Sequence, residues 1–405
     1  MADKISIITP ATGLTPITPS LVPYLFLSSI LHIVGLLIPS LAIRRLVFFC
    51  MVAIDSYFVF FATTGDPWSD HHLGNACASR LLLACDFLVL NNSQRDYWKI
   101  GEGKYHDLPW WKRLLWAADL SINTRGIGWN WEAVKAHPPH PSDSMGRFRF
   151  ALRQAIRWAY AYLMVDLTAT LFRKRAACQA GGSFFQDGLG WLLVYVAAWY
   201  FNLCFNMIIS HSFLAGASVL LGISKPSDWP NFYGGIQQAY SMRRFWGRAW
   251  HHIFRRFLTS NSQFVSRRVL GLQKGNPLLP YVELYLAFFL SGAVHWVGTW
   301  AMLRQYTAPN MTLLFFILQA TVITLEDFIV VFGKRMGIKD SWWVRLLGYA
   351  WVVAWMVALT PVRTEPLIKA GFFDRGKKEF SVVQGIWEGN WHPAYERAAP
   401  LVVMD

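Results

Sequence analysis

The chain has 405 residues, 54% hydrophobic and only 15% charged, against roughly 25% charged residues in an ordinary soluble domain. Lys and Arg number 38 against 24 Asp and Glu, a formal net charge of +14, and mean hydropathy is +0.29. Such apolarity excludes a disordered chain, and five cysteines, odd in number and mostly inside apolar runs, exclude a disulfide scaffold.

What remains is an all-α, polytopic integral membrane protein. Apolar runs of about 20 residues, the length that crosses a bilayer core, fall near 22–41, 46–64, 73–91, 154–172, 189–222, 281–303, 311–333 and 343–362. They predict about eight transmembrane helices within a single integral membrane domain, 1–405. The first two and last three are the clearest. The run 73–91 carries Arg80 and Asp86, and 154–172 carries Arg157 and Asp166. If these runs span, their charges must turn toward other helices. The stretch 189–222 exceeds one upright span and predicts a tilted helix or a broken pair.

The basic residues are not spread as a nucleic-acid surface would require. Arg44 and Arg45 fill the first short connection, and others crowd 92–153, 223–280 and the segment after the seventh span. With eight spans and a non-cytosolic N-terminus, all four groups fall on one face, which the positive-inside rule makes cytosolic. Arg173, Lys174 and Arg175 run against this pattern. No cleavable signal is expected, because Lys4 is the single basic residue among the first twenty, which are rich in Ser, Thr and Pro.

Three clusters carry chemical potential. Asn123-Thr124-Arg125-Gly126-Ile127-Gly128-Trp129 lies in a long polar segment, where two glycines leave amides accessible and Arg125 could help hold an anion. A Gly-Trp turn packed on the membrane surface is the plainer reading. Phe245-Trp246-Gly247-Arg248-Ala249-Trp250-His251-His252 alternates aromatic and basic residues; if helical, it places Arg248, His252 and Arg255 on one face. Arg can grip a phosphate bidentately and Trp can cover an acyl chain or adenine, although both also serve as interfacial anchors. His295 lies deep in the run 281–303 beside the small residues Ser291 and Gly292. An imidazole there can act as a general base toward a hydroxyl, or simply bond to a neighbouring helix. Glu326-Asp327 adds an acidic pair in the seventh run. No metal site is expected, since His71-His72 and His251-His252 are adjacent pairs whose side chains diverge.

Taken in order with Asp228-Trp229-Pro230, these elements resemble the fungal branch of the wax-synthase-like membrane acyltransferases, distant relatives of the membrane-bound O-acyltransferases. The resemblance covers most of the chain, with a core at approximately 115–360. It implies His295 as catalytic base and His251, at the end of the aromatic box, as a residue of the reaction chamber. A tetrahedral oxyanion would take its hydrogen bond from His251. Arg125, Trp246, Arg248 and Trp250 would receive the donor. The implied cosubstrate is acetyl-CoA or another acyl-CoA, with no bound cofactor. The implied acceptor is a lipophilic hydroxylated terpenoid or meroterpenoid of fungal secondary metabolism. The implied surroundings are membrane lipid, the endoplasmic reticulum and other enzymes of the same pathway, without nucleic acid. Ala249, where many members have Arg, and Trp296, where many plant members have an acidic residue, depart from the long-chain wax-ester pattern. The competing readings are a long-chain acyl-CoA:alcohol acyltransferase and a transporter of a lipophilic metabolite, which would use Asp55, Asp86, Asp166 and Glu326 as an ion path.

Overall fold

The computed structural model describes residues 6–7, 13–134, 136–305, 307–373, 380–393 and 402–403. Its helices are, in chain order, α1 (Val22–Leu37), α2 (Leu41–Phe61), α3 (Pro67–Ala84), α4 (Ser93–Asp96), α5 (Trp110–Ile122), α6 (Arg147–Lys174), α7 (Leu189–Leu220), α8 (Met242–Arg244), α9 (Arg255–Gln263), α10 (Leu279–Leu303), α11 (Thr307–Arg335), α12 (Trp342–Lys369) and α13 (Val382–Glu388). Every apolar run expected from the sequence is a helix. Among the described residues five segments, Pro67–Leu90, α7, α10, α11 and α12, are long and apolar enough to cross a membrane, fewer than the eight expected, because α2 and α6 do not reach that apolarity. α1 is apolar but has only 16 residues, which at 1.5 Å per residue gives about 24 Å.

One expectation changes in detail and another is narrowed. Arg44 and Arg45 lie in the first turn of α2, not in a connection, because Ser40 caps that helix by accepting from the Ile43 amide at 3.5 Å. Arg44 is buried and donates to the Ile38 carbonyl at 2.5 Å and to Asn92 Oδ1 at 3.3 Å. The stretch 189–222 is neither broken nor paired. α7 is one continuous helix of 32 residues, about 48 Å long, well beyond the roughly 30 Å hydrocarbon core.

The chain divides into two compact units. One comprises 137–250 and 340–405 together with the first nine residues, and is built on α6, α7 and α12. Here the out-of-pattern basic trio is tied to acids. Arg173 reaches Asp166 at 3.5 Å, Lys174 reaches Glu388 at 2.6 Å and Arg175 reaches Asp187 at 2.7 Å. Asp166 also accepts from the Val383 amide at 2.8 Å, fastening α13 to α6.

The other unit comprises 10–136 and 251–339 and holds α1–α5 and α9–α11. Its core gathers Leu36, Met51, Phe87, Trp116, Trp129 and Phe257. α3 and α10 cross glycine against glycine: a Cβ on Gly74 would meet Gly298 Cα at 2.9 Å and the Val297 oxygen at 3.0 Å. Small residues at such a crossing let two backbones approach closely inside a membrane. Arg304 ends α10 in the left-handed conformation, φ 54°, and donates to the Val59 and Ala62 carbonyls at 2.6 and 2.8 Å. α10 is thereby fixed at its end and along its flank, and it carries His295.

Candidate active site

His295 sits on α10 with its ring stacked on Phe316 of α11, centroids 5.0 Å apart and planes 6° from parallel. One turn earlier, Gly292 admits α11: a Cβ there would meet Leu313 Cδ1 at 2.8 Å and Phe316 Cβ at 3.1 Å. The glycine noted in the sequence beside His295 therefore brings in the helix that supports the imidazole. Thr299 Oγ1 donates to the His295 carbonyl at 2.9 Å, and Thr299 and Thr312 are both fully buried.

The second face of the site comes from the turn before α9. The ring of Phe254 lies 5.9 Å from His295 and 5.6 Å from His251, against whose edge it stands at 82°. One aromatic side chain thus touches both imidazoles that the sequence singles out. His251 keeps some accessible surface, but its Nδ1 is out of solvent. Burial, with the positive charges of His252 and Arg125 nearby, pushes its pKa down to about 3. A neutral imidazole follows, which carries a single ring N–H.

The expected single helical face through Arg248, His252 and Arg255 is not formed. Phe245–Ala249 is a short π-helical turn, Trp250 is extended with ψ 163°, and α9 begins only at Arg255. Within their own unit Trp246 and Trp250 form an aromatic cluster with Phe245, ring centroids 5.1–5.6 Å apart. Tyr200 and Tyr233 close on Trp250 at 5.8 and 5.5 Å. Arg248 is exposed. Gly234, from the Asp228-Trp229-Pro230 element, donates its amide to the Ala249 carbonyl at 3.0 Å, so that element buttresses the box.

Around Arg125 the glycine amides are already engaged and form no anion cradle. Gly126 N donates to the Asn123 carbonyl at 3.1 Å, Ile127 N to Asn123 Oδ1 at 3.0 Å, and Gly128 N to Glu132 at 2.9 Å. Gly126, at φ +69°, has the Trp131 indole pressed where a Cβ would stand. Arg125 is itself partly buried, and burial lowers its pKa to about 10 despite the opposing charge of Glu132. The charge near His251 is thus a desolvated guanidinium.

Three carboxylates that an ion path would need are salt-bridged. Asp55 pairs with Arg80 at 2.5 Å, Asp86 with Arg256 at 2.7 Å, and Asp166 with Arg173 at 3.5 Å. Sequence reasoning placed the charges but missed the partners, and it missed Phe254 and Phe316 altogether. No spacing signal marks those rings among 29 phenylalanines.

The site thus combines His295 on an apolar helix pair with His251 on the turn before α9, both against Phe254, in a chain with helices long and apolar enough to cross a membrane. The pattern of the membrane bound O-acyl transferase family matches residues 229–318. The chain is 35% identical over 389 residues to acetyltransferase ple2 of Rhodocybe pseudopiperita, covering 93% of this chain and 98% of that one. It is 32% identical to acetyltransferase eriL of Hericium erinaceus, covering 86% and 91%. It is 27% identical to acetyltransferase aurG of Calcarisporium arbuscula, covering 64% and 66%. The chain belongs to the membrane bound O-acyl transferase family. It is a membrane enzyme that moves an acyl group from an acyl-coenzyme A to an acceptor hydroxyl.

Proposed function

We propose that this enzyme transfers acetyl from acetyl-CoA to a hydroxyl of a lipophilic terpenoid or meroterpenoid in fungal secondary metabolism, in the endoplasmic reticulum membrane. The observation that carries the chemistry is the pair of imidazoles on one phenylalanine, with His295 stacked on Phe316. His295 takes the acceptor's hydroxyl proton as the oxygen attacks the thioester carbon. The tetrahedral oxyanion receives a hydrogen bond from neutral His251. Collapse breaks the carbon–sulfur bond, and the departing thiolate takes the proton back from His295. The acetyl donor is supported by relatives that are all named acetyltransferases, which also sets the wax-ester alternative aside. Microsomes containing the protein should form radiolabelled ester from labelled acetyl-CoA and an extract of the deletion strain, which should accumulate the free alcohol. An extract that yields no ester would overturn the reading.

Coenzyme A is highly anionic and approaches from the cytosol, where exposed Arg248 and the flanking Trp246 and Trp250 are proposed to meet it; within the other unit, desolvated Arg125 lies near His251. A phosphate contact is made equally in ground and transition states, so Arg248→Ala should raise the acyl-CoA KM several-fold and change kcat little. Steady-state kinetics decides; a collapsed kcat at unchanged KM would move Arg248 into the chemistry.

The same orientation places 92–153 and 223–280 on the cytosolic face, where their basic residues belong. Single cysteines in these segments should react with a membrane-impermeant maleimide in sealed, cytosol-out microsomes. Protection until the vesicles are opened would reverse the topology.

A further inference from the structure

α1 is apolar outside and polar along one inner stripe. Tyr24, Phe26, Ile30 and Val34 are exposed, as lipid-facing side chains are, whereas Ser28 and His32 are buried. Ser28, Ser29 and His32 lie within one turn of each other and share that inner side. Across from them Asp55 of α2 accepts from Ser28 Oγ at 3.0 Å and from Arg80 of α3, Nε at 3.1 Å and Nη2 at 2.5 Å. Arg80 Nη1 continues to Ser29 Oγ at 3.2 Å.

This polar strip forms one wall of a cavity of about 250 Å³, to which Ser29, His32, Arg80 and Thr124 contribute. The rest of the lining is mostly apolar, with Leu83, Ile253, Phe254 and Phe257 alongside Ser79 and Ser121. Phe254 is the ring that touches both His251 and His295, so one aromatic side chain stands between the cavity and the imidazole pair. Its volume lies near the lower end of small-molecule sites, roughly 300–1,000 Å³.

Two polar atoms on this wall are left for a ligand. His32 is only 2% exposed, yet its Nε2 has no hydrogen-bond partner among the described residues. A polar nitrogen enclosed in that way costs free energy until something bonds to it. Of the guanidinium's five N–H groups, two point to Asp55, one to Cys77 Sγ at 3.5 Å and one to Ser29, leaving one on Nη1. The charge count then selects the ligand. Arg80 is the only cation among the lining residues, and Asp55 neutralises it. A diphosphate would find no net positive field there, whereas a neutral oxygen would find donors.

We propose that this cavity binds a neutral, oxygenated lipophile, with a carbonyl or hydroxyl oxygen held by His32 and Arg80, and that it seats the acceptor of acyl transfer. The acceptor assignment rests on the acyltransferase reading; binding of the lipophile does not.

The test uses the full chain in microsomes and a photoreactive diazirine farnesol, a neutral fifteen-carbon alcohol, with labelled peptides mapped by mass spectrometry. Label is expected within 29–33, 79–83, 121–124 or 253–257, displaced by excess farnesol and not by coenzyme A. His32→Leu should lower it at least tenfold, and His32→Gln, which restores a polar atom, should recover much of it. Label in the wild-type protein confined to other segments, label displaced by coenzyme A, or equal label in His32→Leu would each overturn the proposal. The wild-type map decides even if His32→Leu fails to fold. Because the readout is binding, an absence of acetyl transfer with this map intact would refute the enzymatic reading alone.

Discussion

His295→Gln should lower acyl transfer by roughly 10²–10⁴-fold, about 3–5 kcal/mol of transition-state stabilisation, with the protein still folded in the membrane. Glutamine can keep a hydrogen bond to a neighbouring helix, but it cannot take the acceptor's proton. If His295 were only a structural partner, its loss would cost about 0.6–2 kcal/mol of stability and turnover per folded molecule would hardly change. Glutamine also lies poorly on Phe316, where the imidazole stacks within 6° of parallel, so a modest loss of stability accompanies the variant on either reading. Turnover and monodisperse yield must therefore be measured on one sample. The pH profile adds a second readout. His251, held near a pKa of 3 by burial and by positive neighbours, stays neutral from pH 5 to 8, so an acid limb in that range does not report its protonation. Near-normal turnover of His295→Gln would send the search for the base to His251 or His252.

The helices were legible because burial in lipid demands long apolar runs, and each run predicted from hydropathy alone is helical. What hydropathy could not supply was pairing. Arg80 and Asp86 were recognisable as charges that must find partners, but Asp86 meets Arg256 across 170 positions of sequence. The aromatic-basic box is legible as a place but not as a shape. A regular helix would align Arg248, His252 and Arg255, whereas Trp250 turns extended and brings His251 to Phe254. At Arg125 the glycines suggested free amides, yet Asn123 and Glu132 already accept from them. Short polar side chains close their own turns in this way, and composition does not reveal it. His295 was visible through the small residues Ser291 and Gly292 beside it and its place after the aromatic box. His32, in the run 22–41, has no such markers in the sequence, and only the cavity beside it sets it apart.

Asp86→Leu should destabilise the protein by about 3–5 kcal/mol, because it leaves a desolvated guanidinium without its counter-charge. The Asp86 side chain is fully buried and that of Arg256 is 19% exposed. Arg256 donates to it from Nε at 2.7 Å and from Nη2 at 3.2 Å, and also reaches the Tyr97 hydroxyl. Asp86 collects further bonds from Ser260 Oγ at 2.5 Å and Asn91 Nδ2 at 2.6 Å. The guanidinium lies over the rings of Tyr97, Trp131 and Phe87 at 4.7, 5.1 and 5.6 Å, surroundings that favour a cation only while it is compensated. Asp86→Leu/Arg256→Met removes both charges and should recover more than half of the loss, since an apolar pair of similar volume often replaces a buried ion pair at little cost. The hydrogen bonds of Ser260 and Asn91 stay broken, so recovery stops short of complete. Thermal unfolding in detergent, with turnover on the same sample, checks both variants. Because α9 starts with Arg255 and Arg256, directly after the turn bearing His251 and Phe254, the double variant should regain turnover along with stability. A carboxylate that relays protons or ions would behave in the opposite way: the single variant would lose activity at unchanged stability, and removing Arg256 as well would restore nothing.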